Sequence, residues 1–141
     1  MMYKFGRKSI DKLLTCHGDI QLIMNEAIKE SPFDFGITHG HRTPEEQNKL
    51  YKKGRELPGE IVTYMDGFIK KSKHNYFPAL ACDIIIYKND GNYTWECEYY
   101  QKVADHILYV SEILFRDDKI SNQLVWGGNW KRFKDLPHFQ I

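Results

Sequence analysis

The sequence predicts an α+β fold, with helices packed on a small antiparallel or mixed sheet. One observation is the apolar run at residues 79–87, which has the length and the Ile enrichment of a strand buried on both faces. A second is that several other segments repeat apolar residues at helical spacing. The third is Asp83, an ionisable residue inside the apolar run, which is costly to bury without a partner. His138 offers one, so the C-terminal segment is expected to fold back onto this strand.

The first half of the chain predicts three helices and a strand. Ser9 is a suitable N-cap for a short first helix, and residues 19–30 carry apolar side chains at helical spacing. A strand is predicted at residues 33–38, after Ser31-Pro32 ends the second helix. Thr43 is the predicted N-cap of a third helix, which begins with Pro44 and stops near Gly54.

The second half begins with a long excursion and then returns to regular structure. Residues 52–73 are rich in Gly, Pro and charge, and long loops of this kind are often functional. A turn at residues 88–92 follows the 79–87 strand, and residues 96–115 show the longest helical repeat. Residues 121–126 are a further candidate strand.

Composition narrows the class of protein. Twenty Lys and Arg against nineteen Asp and Glu leave a net charge of +1, which does not favour binding to nucleic acid or to an anionic membrane. The N-terminus lacks the apolar core of a signal peptide, and no apolar run reaches the roughly 18 residues of a membrane span. We therefore expect a single domain over residues 1–141, made in the cytoplasm, monomeric and without stable membrane association.

The three cysteines cannot all pair and form no Cys-x-x-Cys motif, so reduced thiols are expected. Cys82 faces opposite to Asp83 on the predicted strand and is assigned to the core. The alternative, a Cys82 nucleophile activated by a histidine, lacks any sign of an exposed, electropositive setting.

A metal ion is the most economical partner for Asp83. His74 lies nine residues upstream, and His138 supplies a second imidazole. Two histidines and one aspartate can hold zinc, and three protein ligands leave a fourth position for water, as in catalytic rather than structural zinc sites.

Several spaced motifs stand out in this sequence: Ser-x-His at 72–74, Ala-x-Asp at 81–83, Trp-Gly-Gly at 126–128 and Pro-His-Phe at 137–139. Together they resemble the zinc D,D-/L,D-peptidases of peptidoglycan, the VanY-like and hedgehog-type group, and most closely the phage endolysins of the L-alanyl-D-glutamate peptidase type. The resemblance runs from Ser9 to Ile141. It implies a hedgehog/D-Ala-D-Ala peptidase-like fold and one zinc ion per chain, bound by His74, Asp83 and His138. This chain has two extra residues between His74 and Asp83.

The same resemblance implies roles for residues outside the metal group. Arg42, in Gly-x-Arg-Thr, would contact substrate and help polarise the scissile carbonyl. Its guanidinium is a planar, fork-shaped cation, which suits this task. Asp135, in the acid-x-x-His element, would act as general base and then general acid. Gln47, Ser72 and Trp126 would bind substrate, Ser72 also supporting the loop that carries the first histidine.

The function implied is zinc-dependent hydrolysis of peptidoglycan stem peptides, most closely the L-Ala-D-Glu bond, by a phage or prophage endolysin. It would act on the wall after release from the host cytoplasm, without a separate wall-binding domain. One alternative is a D-Ala-D-Ala carboxypeptidase with the same chemistry. Another is a zinc-stabilised binding module that has lost catalysis, against which the retained Asp135 argues. His39 and His41 are not expected to form a second metal site.

Overall fold

The computed structural model describes residues 2–141. Its helices are α1 (Arg7–Leu13), α2 (Gly18–Ala27), α3 (Pro44–Lys52) and α4 (Cys97–Arg116). Its strands are β1 (Asp34–His39), β2 (Ala81–Tyr87), β3 (Tyr93–Thr94), β4 (Val125–Trp126) and β5 (His138–Gln140). Short 3₁₀ turns lie at Ile28–Glu30, Lys73–Asn75 and Gly127–Asn129.

The five strands form one antiparallel sheet organised around β2. Strand β1 pairs with one edge of β2. The other edge is shared, because β5 pairs with residues 81–83 and β3 with residues 86–87. Strand β4 pairs with β5 and completes the order β1-β2-β5-β4. The C-terminus therefore returns to β2 as expected, and the predicted α+β architecture is confirmed.

Strand β2 is central because one of its faces is entirely apolar. Cys82, Ile84 and Ile86 are fully buried and pack with α2 and α4, which contribute residues such as Ile23 and Ile107 to the same core. On the other face Ala81 is buried but Asp83, Ile85 and Tyr87 are only partly buried, so the prediction of a strand buried on both faces is wrong for most of the face that carries Asp83. That face is left open to form a site.

Local signals placed most helices correctly. Helix α3 has the predicted Thr43 cap, completed by a reciprocal hydrogen bond from the Thr43 backbone N–H to the Glu46 carboxylate. Helix α1 is an exception, because it begins at Arg7 with Gly6 as N-cap. The Ser9 hydroxyl instead accepts a hydrogen bond from the backbone N–H of Ile37 at 3.0 Å, which ties α1 to β1.

The candidate strand at residues 121–126 is shorter than predicted and covers only Val125 and Trp126. The backbone N–H groups of Ser121 and Asn122 donate to the carboxylate of Asp19, at 3.0 and 3.1 Å. Those groups are therefore committed to α2 and are not available to a strand partner.

The excursion that follows α3 forms none of these helices or strands between residues 53 and 72. Side-chain hydrogen bonds nevertheless fix its position. The Gln47 side-chain amide donates to the Met65 carbonyl at 3.0 Å, and that of Asn48 donates to the Asp66 carbonyl at 3.1 Å. The Asp66 carboxylate then accepts three successive backbone N–H groups, from residues 68–70. The excursion is thereby fixed as a wall beside α3.

Within residues 2–141, no helix combines the length and the apolar character needed to cross a bilayer. All three cysteines are free, with Cys16 and Cys82 buried and Cys97 exposed. Burial raises the pKa of Cys82 well above its ordinary value, which agrees with a core residue and not with a nucleophile.

Candidate metal centre

The centre is built on a row of residues that crosses the sheet. In the strand register, Asp83 is opposite His39 of β1 on one side and opposite His138 of β5 on the other. A bulge between Ile37 and His39 shifts the β1 register at this point. Bulges re-aim side chains, and this one directs His39 towards Asp83.

His74 reaches the row from outside the sheet. It lies in the 3₁₀ turn Lys73–Asn75, whose first N–H groups are capped by the Ser72 hydroxyl. The Asn75 side chain donates to the Arg42 carbonyl at 2.9 Å, and the Arg42 N–H donates to the His74 carbonyl at 2.8 Å. Despite the two extra residues in the following loop, the His74 ring therefore meets Asp83.

Three side chains converge closely enough to bind one ion. His74 Nε2 lies 3.3 Å from Asp83 Oδ1, and His138 Nδ1 lies 3.1 Å from the same oxygen. One ligand atom from each of the three residues falls within 4.8 Å of the others. Both histidines are buried, and the Asp83 side chain is 15% exposed. The grouping predicted from the sequence is thus present in the fold.

The hydrogen bonds on the far sides of the two rings fit a bound cation. His74 Nδ1 lies 2.7 Å from the Gly40 carbonyl, which can only accept, so Nδ1 carries the proton. His138 Nε2 in the same way donates to the Gln140 side-chain oxygen at 2.9 Å. In the neutral rings, two nitrogen lone pairs and a carboxylate oxygen therefore point at one another. Such a donor set requires a positive centre, which a proton or a divalent metal supplies, and its N₂O composition suits zinc.

The electrostatics agree with this arrangement. Burial alone would raise the pKa of Asp83, but the hydrogen bonds and charges of His138 and His74 outweigh it and hold that pKa well below its usual range. Burial alone would lower the pKa of His138, but its contact with Asp83 keeps it above the ordinary value. The centre therefore keeps a negative charge on Asp83 and favours positive charge around it.

Arg42 lies beside the centre with its guanidinium oriented by Gln47. One Arg42 nitrogen donates to the Gln47 side-chain oxygen at 2.7 Å, and the other is 3.8 Å from Asp83 Oδ2. Gln47 is 0% exposed and also donates to Thr63 and Met65 of the excursion. In the structure its side chain lies behind Arg42 and is not among the residues that line the cleft, so a direct contact of Gln47 with substrate stays a prediction.

The two tryptophans near the C-terminus, Trp126 and Trp130, lie in different environments. Trp126 is 2% exposed, stacks on Phe139 and donates its indole N–H to the Leu136 carbonyl at 2.7 Å. Its ring belongs to the core, and its contact with substrate stays a prediction. Trp130 lines the cleft instead, with its ring 5.2 Å from that of His138.

Asp135 lines the same cleft without belonging to the three-residue metal group. Its backbone N–H donates to the Gly127 carbonyl, and its own carbonyl accepts from the His138 N–H at 3.2 Å, so the acid and the ligand share one turn. Burial, and then the charge of Asp83, raise the pKa of Asp135. A carboxylate made more basic in this way suits proton transfer.

The cleft has a volume of about 630 Å³ and contains Arg42, Ser72 and Asp135 together with the metal group. One wall is the excursion at residues 62–65 and the other is the loop at residues 130–135. His39 also lines it, with Nδ1 3.5 Å from Asp83 Oδ2. His39 lies outside the three-residue metal group, and the bulge in β1, which has no signature in the sequence, places it opposite Asp83.

An open His-Asp-His group with a separate carboxylate in the same cleft is the arrangement of a metal-dependent hydrolase. The chain belongs to the phage L-alanyl-D-glutamate peptidase family, whose sequence profile matches residues 1–139.

One curated relative and one solved structure are similar to this chain. The chain is 40% identical over 120 residues to the peptidoglycan L-alanyl-D-glutamate endopeptidase CwlK of Bacillus subtilis (strain 168), an alignment that covers 84% of this chain and 66% of CwlK. This chain therefore spans just under two thirds of that relative's length. The crystal structure of the Serratia marcescens L-Ala D-Glu endopeptidase ChiX matches with a TM-score of 0.72 and 24% identity, covering 98% of this chain and 90% of ChiX. The latter likeness confirms the fold.

Proposed function

We propose that this protein is a zinc-dependent endopeptidase that hydrolyses the L-Ala-D-Glu bond of peptidoglycan stem peptides. The observation that carries the proposal is the convergence of His74, Asp83 and His138 in a cleft that also holds the unliganded Asp135. The family and the relative CwlK support the choice of bond. We further propose one zinc ion per chain and a single catalytic unit that acts as a monomer on the wall after release from the host cytoplasm.

In this proposal, each residue has a distinct task. His74, Asp83 and His138 hold the metal, which when bound supplies Lewis-acid activation of water and of the scissile carbonyl. Asp135 accepts the proton of the attacking water and delivers it to the leaving amine. Arg42 donates hydrogen bonds to the oxygen on which negative charge develops. Trp130 and the excursion form the walls that receive the peptide.

The bond is tested by mass spectrometry of purified sacculi digested with the zinc-loaded protein. New fragments beginning at D-Glu, with L-Ala as the new C-terminus on the glycan side, would support the proposal. Release of free D-Ala would instead identify a D-Ala-D-Ala carboxypeptidase. Zinc binding without any new termini would identify a non-catalytic module.

Replacing Arg42 by Lys is expected to lower kcat/KM on a stem peptide by about 10²-fold while zinc content stays unchanged. Lysine keeps the positive charge, but its single ammonium nitrogen cannot reproduce the planar fork with which the guanidinium reaches Gln47 and the substrate oxygen from two separate nitrogens. Arg116→Lys, at the exposed end of α4, is the matched control. Equal kinetics for the two variants would remove Arg42 from the mechanism.

Replacing Gln140 by Ala is expected to weaken zinc binding by about 10- to 100-fold, because ring orientation and tautomer of a ligand histidine depend on its outer hydrogen bond. In this chain that bond runs from His138 Nε2 to the Gln140 side-chain oxygen. Gln140→Glu keeps an acceptor at the same position and should retain affinity. Competition with a chromophoric chelator measures both variants, and parental affinity in Gln140→Ala would contradict this role.

A further inference from the structure

The charged groups that line the cleft are unevenly distributed. Its two acidic residues are Asp83 and Asp135, which the proposed chemistry already uses. The basic residues are five, and among the described residues no further acid accompanies them; they are Arg42, Lys53, Lys71, Lys73 and Arg132. The chain as a whole has 20 basic and 19 acidic residues, so this excess of positive charge is local to the cleft.

These cations lie on both walls. Lys71 and Lys73 precede His74 on one side, and Arg132 belongs to the opposite loop. The two walls touch where the Tyr64 ring meets that of Phe133, with the centroids 4.9 Å apart. Phe133 has a φ of 52°, an unfavourable conformation for a bulky residue that persists only where its surroundings require it. Arg132, although exposed, belongs to the residues that line the cleft beside this contact.

Positive groups in a concave site reinforce one another, because the low-dielectric walls focus their field into the opening. A zinc ion at the three-residue group would add to this field. A peptide entering the cleft is therefore favoured if it carries negative charge close to the bond that is cut.

We propose that the basic walls recognise a free carboxylate on the residue that follows the scissile bond, and that the enzyme discriminates against stem peptides in which this carboxylate is amidated. The inference rests on the proposed function and extends it. D-Glu has two carboxyl groups, of which only one can join the next residue, so its second carboxyl group is either a free anion or an amide. Lys71 and Arg132 are the recognition residues assigned to the two walls.

The test compares two synthetic tripeptides, L-Ala-D-Glu-L-Lys with its free D-Glu carboxylate and the same peptide with that group as a carboxamide. Turnover is measured with the zinc-loaded parent protein. Binding of both peptides is measured separately by calorimetry with zinc-loaded Asp135→Asn, so that affinity is observed without hydrolysis. The parent is expected to prefer the free acid by about tenfold, the factor contributed by one charged hydrogen bond.

The cleft residues are tested with a pair of double variants that change net charge equally. Lys71→Gln/Arg132→Gln removes a cation from each wall, whereas Lys70→Gln/Lys131→Gln removes the sequence neighbours, which do not line the cleft. The ratio of turnover of the free acid to turnover of the amide should fall towards one in the first double variant and stay at the parental value in the second. An equal loss in both pairs would show a general charge effect and overturn the proposal.

The outcomes separate the two levels of inference. Cleavage of acid and amide with equal efficiency would overturn carboxylate recognition while leaving the peptidase function intact. Selective binding of the acid without cleavage would support the recognition site and contradict the proposed bond. Failure of both peptides to bind would overturn the recognition site directly.

Discussion

His138→Ala is expected to purify without zinc and without hydrolytic activity. The substitution removes one of the three ligands, and it also removes a partner of the mostly buried Asp83, whose Oδ1 lies 3.1 Å from His138 Nδ1. An uncompensated buried group costs about 1–3 kcal/mol in the free energy of unfolding, and more when it is charged. Metal analysis and thermal unfolding with and without chelator measure both effects. In the variant the melting temperature should no longer respond to the chelator.

His39→Ala is the matched control for this experiment. His39 is the other cross-strand neighbour of Asp83, yet it lies outside the three-residue metal group. This variant should therefore retain one zinc ion per chain. Full zinc occupancy in His138→Ala, or loss of zinc in His39→Ala, would mean that the ligands are assigned wrongly.

Asp135→Asn is expected to keep the fold and the metal while hydrolysis falls by about 10²- to 10⁴-fold, the range attributed to positioned proton transfer. Asparagine is nearly isosteric and can still hydrogen-bond a water molecule, but it cannot accept the proton. Asp135 holds no position in the metal group, so zinc content should match the parent. Rate and metal content are to be measured on the same preparations.

The two variants are distinguished by stability as well as by rate. Asp135→Asn should melt at the parental temperature in the presence of zinc, whereas His138→Ala should not. If Asp135→Asn cleaved at the parental rate with zinc bound, another group would have to carry the proton. His39 is then the candidate, since it lines the cleft with Nδ1 3.5 Å from Asp83.

The parts of the fold that depend on residues adjacent in sequence could be predicted from the sequence. The Thr43-Pro44 start of α3 and the long apolar repeat of α4 are local signals, and both helices occur within a residue or so of their predicted bounds. The metal group was predictable for a different reason. A carboxylate in an apolar strand demands compensation wherever it lies, so Asp83 pointed to partners before any geometry was known.

Where a side chain points could not be predicted in the same way. Gln47 and Trp126 belong to motifs that resemble a functional site, yet both are buried by elements distant in sequence. Two-residue strands such as β4 leave no periodic pattern, because their existence depends on pairing rather than on composition. The same limit applies to His39, whose orientation follows from a bulge.

The sequence by itself thus indicated the fold class and the candidate metal ligands, which follow from residue type and spacing, and the acid beside them, which follows from the resemblance to a family. The tertiary structure alone decided which residues hydrogen-bond to the side chains of the site from outside the cleft, and which residues line the cleft. The Gly40 carbonyl that accepts from His74, the Thr63 and Met65 contacts that bury Gln47, and Arg132 opposite Lys71 all arise where separate segments meet. Contacts of this kind depend on strand register and packing, which bring together residues that no single stretch of sequence contains.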